Sequence, residues 1–256
     1  MKHRFFIPFA MLMLASLACG FPSAAPVEPT VNSLPPTPDM PAISSPVVSN
    51  PVQSTATASV SFSSTVREEF DGKISPGLGW DWLRHDPAGW SLTATPGWLR
   101  INVSTSSYLT GLPANVLVTP APSGDFDLRT SLNFSPVRNF EFAGLVIVFG
   151  EKSVLQFGHA FCDAPTCVGN GYYFDNLQNG TTVGGNFATP ASGNLNQLRV
   201  VRTGNLYTAY YLINGNWAQV GSHTVDSQPL SVGLIAAQAQ AEGGFAEFDW
   251  FEIGQP

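Results

Sequence analysis

The chain has 256 residues, a formal net charge of −7 and only 11% charged residues. That acidity excludes the electrostatic grip that nucleic acids or anionic lipid surfaces need, so no nucleic-acid partner is expected. Low charge, 24 glycines and 12% aromatic residues suit an exported, β-rich domain.

The chain begins MKHRFFIPFAMLMLASLACG. Lys2, His3 and Arg4 form a positive start, and Phe5 to Leu17 is an apolar run shorter than the ~20 residues of a membrane span. Ser16-Leu17-Ala18-Cys19 resembles a bacterial lipobox, with serine where leucine is usual. The resemblance implies a signal peptide over residues 1–18, a lipid on Cys19 and anchoring to the outside of a bacterial cell membrane. An ordinary secretion signal is the alternative. Losing Lys2 and Arg4 takes the formal charge from −7 to −9. No later segment is long and apolar enough to span a bilayer.

Residues 19–62 are rich in Pro, Ser, Thr, Val and Ala, with Glu28 and Asp39 as the charges. Such a segment cannot bury enough surface to fold. Its prolines favour an extended tether. At ~3.1 Å per residue it would reach on the order of 100 Å. The expectation is a disordered stalk carrying one folded domain over residues 63–256, long enough for one sizeable core.

That domain shows no helical period. DFDLRTSLNF (125–134) alternates Phe126, Leu128, Thr130, Leu132 and Phe134 against Asp127, Arg129, Ser131 and Asn133, which predicts one buried and one wet face. FAGLVIVF (142–149) is nearly continuous and apolar, as expected of a central strand covered on both sides. VLQFGHA (154–160) puts Leu155, Phe157 and His159 on one face and Val154, Gln156 and Gly158 on the other. Asn179-Gly180, Thr203-Gly204-Asn205 and Asn214-Gly215-Asn216 read as hairpin turns. Many short strands between turns predict an all-β sandwich or barrel.

Three cysteines are an odd number for an exported chain. With a lipid on Cys19, Cys162 and Cys167 remain as a pair in FCDAPTCVGNG, and export favours a disulfide. The competing reading, a zinc site with His159, lacks a fourth ligand.

EEFDG (68–72), WDWLRHDPAGWSLTATPGWLRI (80–101), NVLVTPAPSGDFDLRTSLNF (115–134), NFEFAGLVIVF (139–149), LRVVRTGNLYTAYYLINGNW (198–217) and AEFDWF (246–251) occur in this order. Together they resemble the concanavalin A-like domain at the C-terminus of family 43 β-xylosidases, and equally the related stand-alone domains of unknown function. The resemblance implies a two-sheet concanavalin A-like jelly roll with one concave face, and AEFDWF as a closing strand near EEFDG. Function does not follow, because this fold hosts lectins, hydrolases and structural modules.

The last strand, in GGFAEFDWFEIG (243–254), also resembles the catalytic E-x-D-x-x-E strand of family 16 glycoside hydrolases, through Glu247, Asp249 and Glu252. On a regular strand Glu247 and Asp249 share one face, Phe248 and Trp250 the other, and Glu252 joins Phe248 unless a bulge intervenes. The preferred reading is a terminal strand with Phe248 and Trp250 buried, Phe251 as a further candidate for burial, and no catalytic residues. A structural calcium held by Glu69, Asp71, the Gly72 carbonyl and Asp249, where the chain ends meet, is a further reading.

For a ligand, Trp82-Leu83-Arg84-His85-Asp86-Pro87 stands out as a mixed aromatic and polar loop. Trp82, Arg84, His85, Gln156, His159 and Tyr172 are the candidate sugar contacts on the concave face, with the other tryptophans expected in the core. The function expected is a lipid-anchored carbohydrate-recognition module that binds polysaccharide or a cell-surface glycan, neutral rather than acidic. A small glycoside hydrolase using Glu247 and Glu252, and an interaction lipoprotein without a sugar site, are the alternatives.

Overall fold

The structure, a computed structural model, describes residues 64–256. The expected signal peptide, the expected lipid on Cys19 and the expected stalk fall outside the described residues.

Among the described residues fifteen strands follow one another. They are β1 (Val66–Glu68), β2 (Asp81–Leu83), β3 (Trp90–Ser91), β4 (Leu99–Asn102), β5 (Val116–Pro120), β6 (Phe126–Asn133), β7 (Phe142–Gly150) and β8 (Ser153–Cys162). They continue with β9 (Gly169–Gln178), β10 (Thr181–Pro190), β11 (Leu195–Thr203), β12 (Leu206–Ile213), β13 (Asn216–Thr224), β14 (Ser231–Ala237) and β15 (Phe245–Gly254). An eight-stranded sheet has the order β13-β12-β11-β6-β15-β4-β3, with β1 also paired to β15. A seven-stranded sheet has the order β10-β9-β8-β7-β14-β5-β2. Pairing is antiparallel throughout both sheets. The two-sheet jelly roll expected from the sequence is the fold found.

The alternation in β6 sends Phe126, Leu128, Thr130 and Leu132 fully inside. Phe126, Leu128 and Leu132 meet Leu145, Ile147, Leu155, Phe157 and Phe174 of the other sheet in one core. Each fully buried Leu or Phe there contributes about 1.5–3 kcal/mol by leaving water. The hairpins close as expected. Asn179 and Gly180 have φ of 50° and 75°, and Asn214 and Gly215 have 52° and 77°. Two successive left-handed residues make the turn whose twist matches the strands, and asparagine and glycine tolerate it best.

β7 is buried on both faces, as its unbroken apolar run requires. Ala143, Leu145 and Ile147 enter the core between the sheets. Phe142, Val146 and Val148 enter a second apolar cluster on the sheet's other side. Tyr108 and Leu112, from the loop between β4 and β5, pack into that second cluster. Cys162 and Cys167 are joined as a disulfide, with Cα atoms 5.7 Å apart, and both belong to the same cluster.

The closing strand departs from the regular alternation. Its pairing with β6 slips between Phe248 and Trp250, so Asp249 is the residue of a bulge. Phe248 and Phe251 therefore point into the core, while Trp250 turns to the outer face under the Arg67 guanidinium, 4.1 Å away. The expectation that Trp250 shares the Phe248 face is corrected, and Phe251 takes its place. β15 also pairs β1 as expected, with Glu68 opposite Phe251.

Candidate functional site

The face of the seven-stranded sheet that looks away from the other sheet contains a hollow of about 210 Å³. Its floor is Phe142, Ala160 and Cys162 from β7 and β8, with Tyr173, Asp175 and Leu177 from β9. The disulfide loop, through Ala164 and Cys167, walls one side. Thr182 and Asn186 of β10 wall another, and the pairing of β10 with β9 breaks between these two residues. Leu109, Phe140 and Gln238 complete the rim.

Two polar groups stand in this apolar setting. Gln156 on β8 and Asp175 on β9 are opposite each other in register. Gln156 Nε2 donates to Asp175 Oδ2 at 3.1 Å. Gln156 Oε1 and Asp175 Oδ1 are sealed from solvent and accept from no protein group. A buried acceptor left without a donor costs about 1–3 kcal/mol. Burial pushes the Asp175 carboxyl up to about 6, against the opposing pull of the Gln156 amide. As a whole residue Asp175 is partly exposed, while its Oδ1 is closed off from solvent.

The rim carries strain. Phe140 and Gln238 have φ of 67° and 69°, a region bulky residues avoid. The backbone enforces the Phe140 conformation from both sides. Phe140 N donates to Phe161 O at 2.7 Å. Next to it, the buried Glu141 accepts from Val137 N, Arg138 N and the Arg138 guanidinium. The Phe140 ring is left 45% exposed at the edge of the hollow.

The residues singled out in the sequence fall in three separate places. Gln156 alone lines the hollow. His159 and Tyr172 point the other way, between the sheets, which corrects their expected place on the concave face. There His159 meets Asn170 Oδ1 at 2.5 Å and the Asn196 amide at 3.0 Å, and Tyr172 donates its hydroxyl to Asn196 Oδ1. Burial holds the His159 pKa below its ordinary value. Period-two alternation places Gln156 and His159 on opposite faces of β8, so they never belonged to one groove.

Trp82 and His85 lie at the side of the sandwich where edge strands β2 and β3 meet. Trp82 stacks on Trp90 with centroids 4.9 Å apart, and His85 stacks on Trp82 at 5.9 Å. Trp90 Nε1 donates to His85 Nε2 at 3.0 Å. Arg84 is exposed, with φ of 52°. The rings of His85 and Trp90 are only 6.1 Å apart, so both lie on one side of Trp82, and the donor of Trp90 is engaged within the protein. The tryptophans are also not the core residues expected. Trp80, Trp82 and Trp90 are half-buried at the core's edge, and Trp217 lies on the outer face of the eight-stranded sheet. Arg84 and Trp82 do border a shallow apolar groove with Leu83, Tyr108 and Leu112.

On the closing strand the bulge brings Glu247 and Glu252 to one face. Glu247 pairs opposite Asn133, and Glu252 opposite Arg129, four residues along β6. At ~3.3 Å per residue their Cα atoms stand roughly 13 Å apart. Each carboxylate has an arginine. Arg100 meets Glu247 at 2.6 Å, and Arg129 meets Glu252 at 3.5 Å. Burial opposes the Glu247 charge, but bonds from Thr95, Arg100 and Asn133 and the Arg100 charge together hold its pKa below the ordinary range.

Asp249 is raised by burial, with Glu69 and Asp71 adding repulsion and Arg67 opposing it. Glu69 is held by Arg67 at 2.7 Å. Among the described residues no three His, Cys, Asp or Glu side chains gather as a cation site. Glu69 and Asp71 lie close enough to Asp249 to repel its charge, and Arg67 is the cation beside them.

Comparisons agree with this architecture. The family model described as "Beta xylosidase C-terminal Concanavalin A-like domain" matches residues 67–254. No curated protein matches. The GH43 protein of Bacillus licheniformis is similar at 20% identity, with a TM-score of 0.63 over 73% of this chain and 38% of its own. The xylan β-1,4-xylosidase of Bacillus halodurans is similar at 20% identity, with a TM-score of 0.64 over 74% and 39%. The Bacillus licheniformis β-glucanase gives 12% identity and a TM-score of 0.52 over 75% and 99%. At these identities the likeness is one of fold. The chain spans about two fifths of the length of the two family 43 proteins.

Proposed function

The chain belongs to the family of β-xylosidase C-terminal concanavalin A-like domains, and from that membership we propose that it is a carbohydrate-recognition module rather than an enzyme. The observation that carries this reading is the hollow on the seven-stranded sheet, which sets the exposed apolar side chains of Phe140 and Leu109 beside the exposed polar residues Thr182 and Asn186. Sugars present hydroxyl donors and apolar C–H faces together, and a site with both is suited to them. The arginine pairing of Glu247 and Glu252 supports a non-catalytic closing strand. The net negative charge favours neutral over acidic glycans, because like charges repel. The lipobox-like start and Pro-rich segment support a module tethered outside the cell through Cys19.

A glycan array probed with the full chain tests the reading, with a hydrolysis assay on the same oligosaccharides. Binding to neutral glycans without product release is expected. Binding to none of them makes it an interaction protein, and turnover lost in Glu247→Gln makes it a hydrolase. Cys19→Ala should move the protein out of the membrane fraction, and unchanged fractionation would defeat the anchor.

A further inference from the structure

We propose that a second binding site lies where the start of β15 meets the end of β4, a cleft that takes a run of neutral sugar units with one ring lying on Phe245. This rests on the carbohydrate reading above but not on the hollow of the seven-stranded sheet, with which the cleft shares no residue. Two hollows adjoin there, of about 720 Å³ and about 340 Å³, and Gly243, Gly244 and Phe245 line both. Each volume falls within the roughly 300–1,000 Å³ of ordinary ligand pockets. Both hollows are open to solvent, so a chain can occupy one, cross the Phe245 ring and continue into the other.

The ring between them is fixed in place. Phe245 is 45% exposed, and the Arg100 guanidinium lies 3.9 Å from its centroid, over one face. Glu247 and Thr95 hold that guanidinium in turn, at 2.6 Å and 3.0 Å. A ring backed by an immobilised group loses little freedom on binding, so its apolar surface is ready for the C–H face of a sugar. The segment before it is tied down as well. Gly244 O accepts from Val103 N at 2.9 Å, and Arg138 Nη1 donates to Glu242 O at 2.7 Å.

A polar partner stands beside the ring. Asn102 is opposite Phe245 in register, and residues directly opposite in an antiparallel pair put their side chains on one face about 5 Å apart. Asn102 is exposed, and its Nδ2 reaches Ala88 O only at 3.5 Å, so the amide remains able to bond a hydroxyl. An amide both donates and accepts, as a sugar hydroxyl does. The charges of the lining select against anions. No Lys, Arg or His lines the larger hollow, whose ionisable groups are Asp86 and Glu242. In the smaller hollow Arg138 is paired with Glu141 at 2.7 Å. An acidic ligand meets charge of its own sign, and a neutral polyhydroxyl chain does not.

The test titrates the full chain by calorimetry with xylohexaose, cellohexaose, xylose, glucose and trigalacturonate, and with trilysine as a cationic probe. One neutral hexasaccharide should bind at least about tenfold more tightly than its own monosaccharide, because it fills both hollows. Trigalacturonate should bind at least about tenfold more weakly than that hexasaccharide. Phe245→Ala should weaken the hexasaccharide about tenfold or more, whereas Phe245→Tyr, which keeps the ring, should bind it as wild type does. Asn102→Ala should weaken it by about threefold to tenfold, the effect of one lost hydrogen bond. If Phe245→Ala and Asn102→Ala bind the hexasaccharide as tightly as wild type, this cleft is wrong while the carbohydrate reading stands. A monosaccharide that binds as tightly as its hexamer overturns the run of units. Trilysine binding more tightly than every sugar overturns the ligand class. If no glycan binds at all, both readings fall.

Discussion

Asp127, Glu247 and Glu252 on the outer face of the eight-stranded sheet each face an arginine, whereas Asp175 on the outer face of the seven-stranded sheet faces an amide. The first face is a lattice set by strand register. Arg100 is opposite Glu247, Arg129 opposite Glu252 and Arg67 opposite Glu252. Arg129 and Arg199 are opposite each other, and Asp127 bonds both, at 2.6 Å and 2.7 Å. Trp217 and Trp250 lie against these guanidinium groups. The second face is apolar around one ionisable group with an unfilled hydrogen bond. A surface that satisfies its charges contributes stability, and one that leaves them wanting is where a ligand has something to offer.

The largest test of that contrast is on the lattice. Asp127 is 3% exposed and is the anion between two opposed arginines. Asp127→Leu should cost about 3 kcal/mol, the low end for breaking a buried pair, because both arginines can turn toward water. Urea unfolding measures it. A cost under about 1 kcal/mol would mean the lattice is ordinary surface.

The reverse sign is expected on the other face. Asp175 has its pKa raised by burial, so the folded state holds its proton to a higher pH than the unfolded chain does. Stability from this group is therefore fully present only below the unfolded value of 3.8 and is lost as pH rises through about 6. Asp175→Asn should leave stability unchanged at about pH 3 and raise it on the order of 2 kcal/mol at pH 7.5. Denaturant midpoints of both proteins across that range measure the difference. A variant that is less stable at pH 7.5 would show that the carboxylate is satisfied after all.

The sequence made the fold and one of these faces partly legible. Ordered motifs identified the sandwich, and alternation along 125–134 put Asp127 and Arg129 on the face away from the core. The bulge at Asp249 was not readable, because slipping the pairing by one residue depends on the partner strand's contacts. It moved Trp250 outward and Phe251 inward. Asp175 went unnoticed in YYFDNLQ for a related reason. Its meaning depends on Gln156, nineteen positions away and beside it only once β8 and β9 pair. Tyr172 and Tyr173 looked equivalent, yet one joins the inner core and the other the outer cluster. A strand covered on both sides carries no polar face to say which way it is turned. The αL residues at Phe140 and Gln238 left no trace either, since neither residue type favours that conformation.

The smallest effect sharpens the contrast at the rim of the lattice. Arg67 lies over Trp250, binds Glu69 at 2.7 Å and reaches Glu252 at 3.8 Å. Its side chain is 39% exposed, so water competes for the charge and salt screens it. Arg67→Met keeps apolar cover on Trp250 while removing both ion pairs. The cost should be roughly 0.5–1 kcal/mol at low ionic strength and smaller in 1 M salt. Asp127→Leu should keep most of its cost in the same salt, because its pairs are shielded from the ions. Equal salt sensitivity of the two variants would show that the lattice has no buried centre. Its difference from the Asp175 face would then be one of charge count alone.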